Sequence, residues 1–181
     1  MTQKPGDHEY AEYYGRYIAL VVESDILAAL AAQPDELAQV VSRVKPGLES
    51  YRYAEGKWGI REVIGHLIDA ERVFGFRAFC FSRAEQAPLP GFDENDYVRQ
   101  SHYDARPLSE LMAEFRTVRQ GNLAFLRGLD DKEWARLGTA STKPVSVRAL
   151  AFIMVGHARH HENVLRDRYT EALEPVKKSA K

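Results

Sequence analysis

The stretch VRALAFIMVGHARHHENVL, from Val147 to Leu165, decides the fold of this chain. When its positions are counted at about 100° per residue, its apolar side chains fall on one face of a helix. That face consists of Val147, Leu150, Ala151, Met154, Ala158 and Leu165. Ser146 comes directly before the stretch, and a serine hydroxyl there can accept a hydrogen bond from a free backbone N–H. We therefore predict a long helix that begins at Ser146 and ends near Thr170.

Three other stretches show the same helical periodicity. The first runs from about Tyr10 to Ala32, where we expect Pro34 to stop it, and a brief helical turn is expected from Asp35 to Val41. The second runs from Gly59 to about Ala84, and the third begins at Pro107 and ends near Gly128. Strand-like alternation of apolar and polar residues never lasts beyond a few positions. The sequence thus predicts an all-α protein, a four-helix bundle that is mainly up-and-down.

One long crossover loop separates the second and third predicted helices. It extends from Gln86 to Arg106 and carries the acidic run Asp93-Glu94-Asn95-Asp96. Connections of this length without regular structure are uncommon in compact domains and are often functional. A packed crossover and a binding loop are both compatible with the sequence. The acidic run lacks the glycine and the terminal glutamate of a calcium loop, so we expect it to be solvated.

The composition indicates one globular domain. The length of 181 residues suits a single core, and a hydrophobic content of 45% is enough to fill it. Lys and Arg total 25 and Asp and Glu total 26, so the net charge of −1 gives no reason to expect nucleic acid or an anionic membrane as a partner. We expect the bundle to occupy about residues 10–170 of the single domain 1–181, followed by a basic tail over residues 171–181.

Cysteine content and hydropathy suggest the compartment. Cys80 is the single cysteine, which excludes an intrachain disulfide and a cysteine-rich zinc site. No run approaches the roughly 20 apolar residues that a membrane span needs. The first residues are polar and lack the apolar core of a signal peptide. We therefore expect a cytoplasmic protein that does not enter a membrane.

Two histidines of the fourth predicted helix point toward the core. His161 falls within the apolar face and His157 lies at its edge, so these imidazoles are neighbours at i and i+4. His66 lies on the flank of the inner face of the second predicted helix. Three imidazoles around a divalent ion, with one open position, are typical of catalytic zinc-type sites. Two alternatives stay open: His160 pairs with His157, or the histidines only form hydrogen bonds within the core.

Two motifs resemble the metal-ligand segments of the DinB-like superfamily. The first is KWGIREVIGHLIDAER, from Lys57 to Arg72, and the second is GHARHHENVL, from Gly156 to Leu165. The resemblance covers most of the chain in order and spacing. It implies a four-helix bundle in which three histidines hold a divalent metal. On this chain the three correspond to His66, His157 and His161.

The resemblance also implies a range of activities. The superfamily includes YfiT-like proteins regarded as metal hydrolases, and thiol transferases linked to bacillithiol and mycothiol. This chain departs from many relatives at Gly59, where they have serine, and at Glu162 and Asn163, where they have glutamine or glycine. We expect a zinc, nickel or manganese ion that activates water or a low-molecular-weight thiol toward a small-molecule substrate, and a possible homodimer. The alternative is a bundle whose metal has a structural role and no catalytic one.

Other polar residues fall on inward faces of the predicted helices. Glu71 could accept a hydrogen bond from a ligating imidazole, or form an ion pair with an arginine such as Arg119. Asp69, three residues after His66, is a minor candidate for a fourth ligand. Arg119 and Asn122 interrupt the apolar stripe of the third helix, and the planar fork of Arg119 suits a substrate carboxylate. Trp58 could form the mouth of a pocket or anchor the start of the second helix.

Overall fold

The computed structural model describes residues 3–175 of the chain, which contain seven α-helices and one two-stranded antiparallel hairpin. The helices are α1 (Gly15–Ile18), α2 (Ile26–Val41), α3 (Ile60–Ser82), α4 (Glu94–Gln100), α5 (Leu108–Leu126), α6 (Asp131–Ala135) and α7 (Val147–Arg168). The strands are β1 (Leu137–Ala140) and β2 (Lys143–Ser146), and short 3₁₀ turns cover Asp7–Glu9, Glu12–Tyr14, Tyr103–Ala105 and Thr170–Ala172. Within residues 3–175, no helix is both long enough and apolar enough to cross a bilayer.

The four long helices form a bundle, which confirms the predicted fold class. Helix α3 packs against α5 and α7, and α2 packs against the same two helices. The consecutive helices α2 and α3 therefore occupy opposite corners of the bundle. Helices α3 and α7 are neighbours, so residues on them can meet across one interface. The histidines of these two helices require this arrangement.

Two apolar clusters lie one above the other inside this bundle. The first apolar cluster includes Leu30 of α2, Phe81 of α3, Leu126 of α5 and Leu150 of α7. The second includes Leu37 of α2, Ile64 of α3, Leu111 of α5 and Leu165 of α7. Helices α3 and α5 therefore both run from the second cluster to the first, so they are parallel. The chain must travel back along the bundle between them, which explains the length of the crossover.

The crossover is more ordered than the sequence indicates. It contains helix α4 and the turn Tyr103–Ala105, so short helical segments interrupt the predicted loop. Asp93 caps α4, because its Oδ1 accepts hydrogen bonds from the backbone N–H groups of Asn95 and Asp96 at 2.9 and 3.0 Å. The acidic run is thus the exposed first turn of a short helix.

The predicted first helix is interrupted, and its predicted end is wrong. Helix α1 stops at Ile18, and a new helix starts after Asp25, whose carboxylate accepts from the N–H groups of Leu27 and Ala28. Pro34 lies inside α2 rather than ending it. A proline cannot donate to the carbonyl four residues earlier. In this structure that carbonyl, of Leu30, accepts a hydrogen bond from Arg119 Nη1 at 3.2 Å, which replaces the missing donor.

A short hairpin accompanies the helices, in a region where the sequence indicates no strand. Strands β1 and β2 pair in antiparallel register from Leu137 with Ser146 to Ala140 with Lys143. Ser141 and Thr142 form the turn between them with φ angles of +50° and +66°, which residues other than glycine rarely adopt. Because this turn lacks the usual Asn-Gly signal, the sequence does not reveal the hairpin.

The predicted tail begins too early. Ala172 and Leu173 are buried, and the backbone N–H of Lys45 donates to the carbonyl of Ala172 at 2.9 Å. A bridge between Val44 and Leu173 continues this contact. The basic residues Lys177–Lys181 lie outside the described residues.

Candidate metal centre

Two well-defined helix starts position the candidate ligands. The backbone N–H of Gly59 donates to the carboxylate of Glu62 at 2.7 Å, which fixes the beginning of α3 although glycine offers no side-chain cap. Ser146 caps α7, because its Oγ accepts from the N–H of Ala149 at 3.0 Å. His66 thereby lies two turns into α3, while His157 and His161 project from the middle of α7 on one face.

The structure brings these three imidazoles together. His66 Nε2 and His157 Nε2 are 3.0 Å apart, and one nitrogen from each of the three rings lies within 4.8 Å of the others. Two nitrogens bound to one zinc-sized ion can be at most about 4 Å apart, twice the usual Zn–N distance of about 2.0–2.1 Å. The closest pair meets this limit directly, and the third nitrogen lies within 4.8 Å of both. The donor set therefore fits a divalent ion.

Burial keeps these imidazoles neutral. His66 and His157 are 5% and 6% exposed, and His161 is half-buried. Burial lowers the pKa of His66 to about 4. Burial first, and neighbouring imidazoles second, hold the pKa values of His157 and His161 well below their usual range. Neutral imidazole has the free lone pair that a metal ligand needs, so the cluster is ready to bind at pH 7.

A cavity of about 480 Å³ opens onto the histidine cluster. Trp58 forms part of its wall, with its ring centroid 4.7 Å from that of His66 and 6.3 Å from that of His161. Tyr17 packs edge-on against His157 at 5.3 Å. A volume of this size is typical of sites for small organic molecules.

His160 also lines this cavity but stands outside the cluster of nitrogens. Its ring centroid is 5.1 Å from that of His161, on the same wall as Tyr17. Burial lowers its pKa, and the charge of Arg16 lowers it further. Of the pairings considered from sequence, the geometry brings His157 together with His161.

Glu71, Arg119 and Asn122 form a separate buried network. Arg119 Nε donates to the carboxylate of Glu71, and both side chains are at most 2% exposed. Arg119 Nη1 also donates to Gln33 Oε1 at 2.9 Å, and Asn122 Nδ2 donates to the carbonyl of Glu71 at 3.1 Å. The structure thus places Arg119 in an internal ion pair, and it does not line the large cavity.

Asp69 lies apart from the histidine cluster. Its carboxylate accepts a hydrogen bond from the Tyr103 hydroxyl at 2.6 Å. Burial raises the pKa of Asp69, while this hydrogen bond lowers it. Asp69 therefore links α3 to the crossover, and its position does not favour a role as a fourth metal ligand.

Sequence reasoning missed the cavity wall that the N-terminal segment supplies. Tyr13, Tyr14, Arg16 and Tyr17 all line the cavity. The run YYGRY over residues 13–17 is dense in aromatic side chains and was the available signal. Helical periodicity alone treated these positions as part of an ordinary amphipathic helix, because it does not show where a helix breaks.

Comparisons with known proteins agree with this fold. A sequence profile of the DinB superfamily matches residues 29–165. YfiT from Bacillus subtilis, described as a probable metal-dependent hydrolase with an unusual four-helix bundle topology, has a TM-score of 0.72 and 19% identity over 93% of this chain and 92% of its own. The DinB-like protein YjoA from Bacillus subtilis has a TM-score of 0.57 and 16% identity over 86% of this chain and 99% of its own. No curated protein has a matching sequence.

Proposed function

Because this chain belongs to the DinB superfamily, we propose that it is a metal-dependent hydrolase whose divalent ion is held by His66, His157 and His161. The observation that carries this proposal is the convergence of three imidazoles from two helices, with two of their nitrogens 3.0 Å apart. The description of YfiT as a probable metal-dependent hydrolase supports the same class of reaction. Three nitrogen ligands suit zinc, and nickel and manganese are the other candidates.

The open cavity supports a catalytic role for the ion rather than a structural one. Structural zinc sites use four protein ligands, whereas catalytic sites keep a position for water or substrate. Within residues 3–175, the cluster contains three possible ligands, and it borders the cavity of about 480 Å³. A substrate in that cavity would reach the side of the cluster that the protein leaves open.

The side chains around the cluster suit a hydrolytic reaction. A divalent ion, when bound, lowers the pKa of a ligated water toward neutrality. His160 lines the cavity and is neutral at pH 7, so it can accept the proton that the attacking water gives up. Trp58 and Tyr17 cover the rings of His66 and His157 and limit the access of bulk water.

Elemental analysis of protein purified without a histidine tag tests this proposal. We expect one divalent ion per chain and turnover of simple esters or amides that a chelator abolishes. His161→Ala should lose both metal and turnover, because two imidazoles hold a divalent ion poorly. The matched control is His102→Ala, since His102 is exposed and is not one of the clustered histidines. Protein that carries no metal, or that binds it equally well as His161→Ala, would refute the proposal.

Thiol transfer is the second candidate, and a specific observation favours it. A further cavity of about 270 Å³ shares Trp58, His160 and His161 with the larger one. Two cavities that both border His161 give room for a thiol and for a separate electrophile. Consumption of a low-molecular-weight thiol together with an epoxide or chlorinated electrophile, and no turnover of esters or amides, would establish transfer instead of hydrolysis.

A further inference from the structure

We propose that Arg16 is the residue that selects the substrate, and that the substrate is a carboxylate with an aromatic or apolar body. This inference rests on the proposed function, because it concerns the cavity that the histidine cluster borders. Arg16 lies on α1 and lines the cavity of about 480 Å³. Arg16 shares this lining with His66, His157 and His161.

Two tyrosines hold the guanidinium of Arg16 in place. Its Nη2 donates to the Tyr17 hydroxyl at 2.8 Å. Its Cζ lies 4.1 Å from the ring centroid of Tyr13 and 4.7 Å from that of Tyr17. A guanidinium that contacts two aromatic rings loses less conformational freedom when it binds a ligand than a freely moving arginine does.

Arg16 has no acidic partner among the described residues. Within residues 3–175, no carboxylate oxygen lies within 4.0 Å of its guanidinium, whereas Arg148 and Arg159 on α7 each pair with a glutamate. Only part of its hydrogen-bonding capacity is used by Tyr17, because a guanidinium carries five N–H donors. The remaining donors are available to a ligand in the cavity.

The charges around the cavity favour an anion. Arg77 lies behind the wall and is 3% exposed, and it donates to the carbonyl of Pro90 at 2.8 Å and to Ser141 Oγ at 3.1 Å rather than to a carboxylate. Glu94 is the single carboxylate among the residues that line the cavity. Neutral imidazoles also leave the charge of a bound divalent ion uncompensated. An anionic substrate would balance this excess of positive charge.

The shape and lining of the cavity indicate which anion it takes. The guanidinium fork of Arg16 matches the two oxygens of one carboxylate. Aromatic side chains form much of the rest of the wall, namely Tyr13, Tyr14, Tyr17, Trp58, Phe74 and Phe92. An aromatic or apolar body attached to the carboxylate would bury surface against them.

The test removes the charge of the ligand and the charge of Arg16 separately and together, and compares the resulting Kd values. The probes are 3-phenylpropanoate and its uncharged isostere 3-phenylpropanamide, and calorimetry gives the Kd of each for the wild type, Arg16→Gln and Arg16→Lys. We expect the preference for the acid over the amide to be about fivefold smaller in Arg16→Gln, which corresponds to an ion pair that stays partly exposed to solvent. Arg16→Lys should lose part of the preference, because it keeps the charge without the fork.

The matched control is Arg127→Gln. Arg127 is exposed at the end of α5 and does not line the cavity, so this variant removes one positive charge elsewhere and should keep the wild-type preference. An acid preference in Arg16→Gln equal to that of the wild type would overturn the inference. Metal content measured on the same samples separates the two proposals. Protein without metal that still shows an Arg16-dependent preference refutes the metal site alone, and metal-containing protein without that preference refutes the role of Arg16 alone.

Discussion

Arg119 meets two requirements of the core with one side chain. Its charge is balanced by Glu71, and its Nη1 donates to the carbonyl of Leu30, which the proline at position 34 leaves without its helical donor. A buried carbonyl without a partner is unfavourable by about 1–3 kcal/mol. The proline inside α2 therefore depends on an arginine from another helix.

Replacement of Arg119 should be strongly destabilising. Arg119→Met leaves the Glu71 carboxylate buried and unpaired and removes the donor to Leu30, so we expect a loss of about 3–5 kcal/mol in the free energy of unfolding. Urea denaturation measures this loss. In a Pro34→Ala background, the backbone N–H at position 34 can donate to Leu30, and the loss should be smaller by about 1 kcal/mol. Equal losses in both backgrounds would contradict the link between Pro34 and Arg119.

The control for this prediction is Arg116→Met. Arg116 lies on the same helix and pairs with Asp35, but both side chains are well exposed. Exposed ion pairs contribute about 0–1 kcal/mol, so this variant should remain close to the wild type. A loss as large as that of Arg119→Met would show that burial of the ion pair is not the cause.

The sequence indicates which residues face inward better than it indicates their partners. Helical spacing places His157 and His161 on one face, and both lie in the cluster. The same spacing places Arg119 on an inward edge, but from the sequence alone a substrate carboxylate and Glu71 are equally suitable partners for its charge. The choice depends on Gln33 and Leu30 of α2, which are distant in sequence and contact Arg119 only after the bundle has formed.

The contact between α1 and α7 depends on the glycine that precedes His157. A Cβ atom on Gly156 would lie 2.0 Å from the backbone carbonyl oxygen of Tyr17, which is far closer than atoms can approach. Gly156→Ala should therefore separate α1 from α7 and lower the free energy of unfolding by about 1–3 kcal/mol. It should also weaken ligand binding in the cavity, because Tyr17 and Arg16 lie on α1. Thermal denaturation and calorimetry measure the two effects.

Gly121→Ala provides the matched control for this prediction. Gly121 lies within α5, and a Cβ atom there would have no neighbour within 4 Å among the described residues. Alanine is more favourable than glycine inside a helix by about 1 kcal/mol, so this variant should be more stable than the wild type. If both substitutions shift stability in the same direction, the close approach at Gly156 does not govern the packing of α1.

The long helices were predictable because each carries a strong periodic pattern and a local start signal. Helix α7 begins after Ser146 as predicted, and α3 begins after Gly59 with the help of Glu62. The break between α1 and α2 was not predictable from helical periodicity, which does not show where a helix is interrupted. The continuation of α2 through Pro34 was not predictable either, because the carbonyl that Pro34 frees is satisfied from α5, far away in the sequence. The hairpin escaped prediction because Ser141 and Thr142 adopt turn angles that their sequence does not favour. The single-domain organisation and the homodimer stay predictions.

A polar layer divides the whole bundle between its two apolar clusters. Gln33 on α2, Arg119 on α5 and His157 on α7 lie between the residues of the first cluster and those of the second, and Glu71, His66 and His161 lie within about one turn of this boundary. This layer weakens the apolar contact where α3 meets α7. A bound ion would link these two helices, and it would bind the folded state in preference to the unfolded chain.

Metal should therefore stabilise the whole molecule, and acid should reverse the effect. At about 100 times its Kd, an ion adds about 2.7 kcal/mol to the free energy of unfolding. For a chain of this size, that corresponds to a rise in Tm of about 5–10 °C. We expect the rise to stay constant between pH 8 and pH 6 and to begin to fall only as the pH drops to about 4 and below, because protons compete for His66 only near its lowered pKa of about 4.

The metal-free protein should also become less stable over part of this pH range, and the sign follows from the same pKa. Burial lowers the pKa of His66 from 6.5 to about 4 in the folded state, so between these values the unfolded chain binds the additional proton. The free energy of unfolding therefore falls as the pH drops from 6.5 toward 4.

His161→Ala should show no metal-dependent rise in Tm at any pH, while His102→Ala should behave as the wild type. A rise that persists in His161→Ala would mean that the ion binds elsewhere.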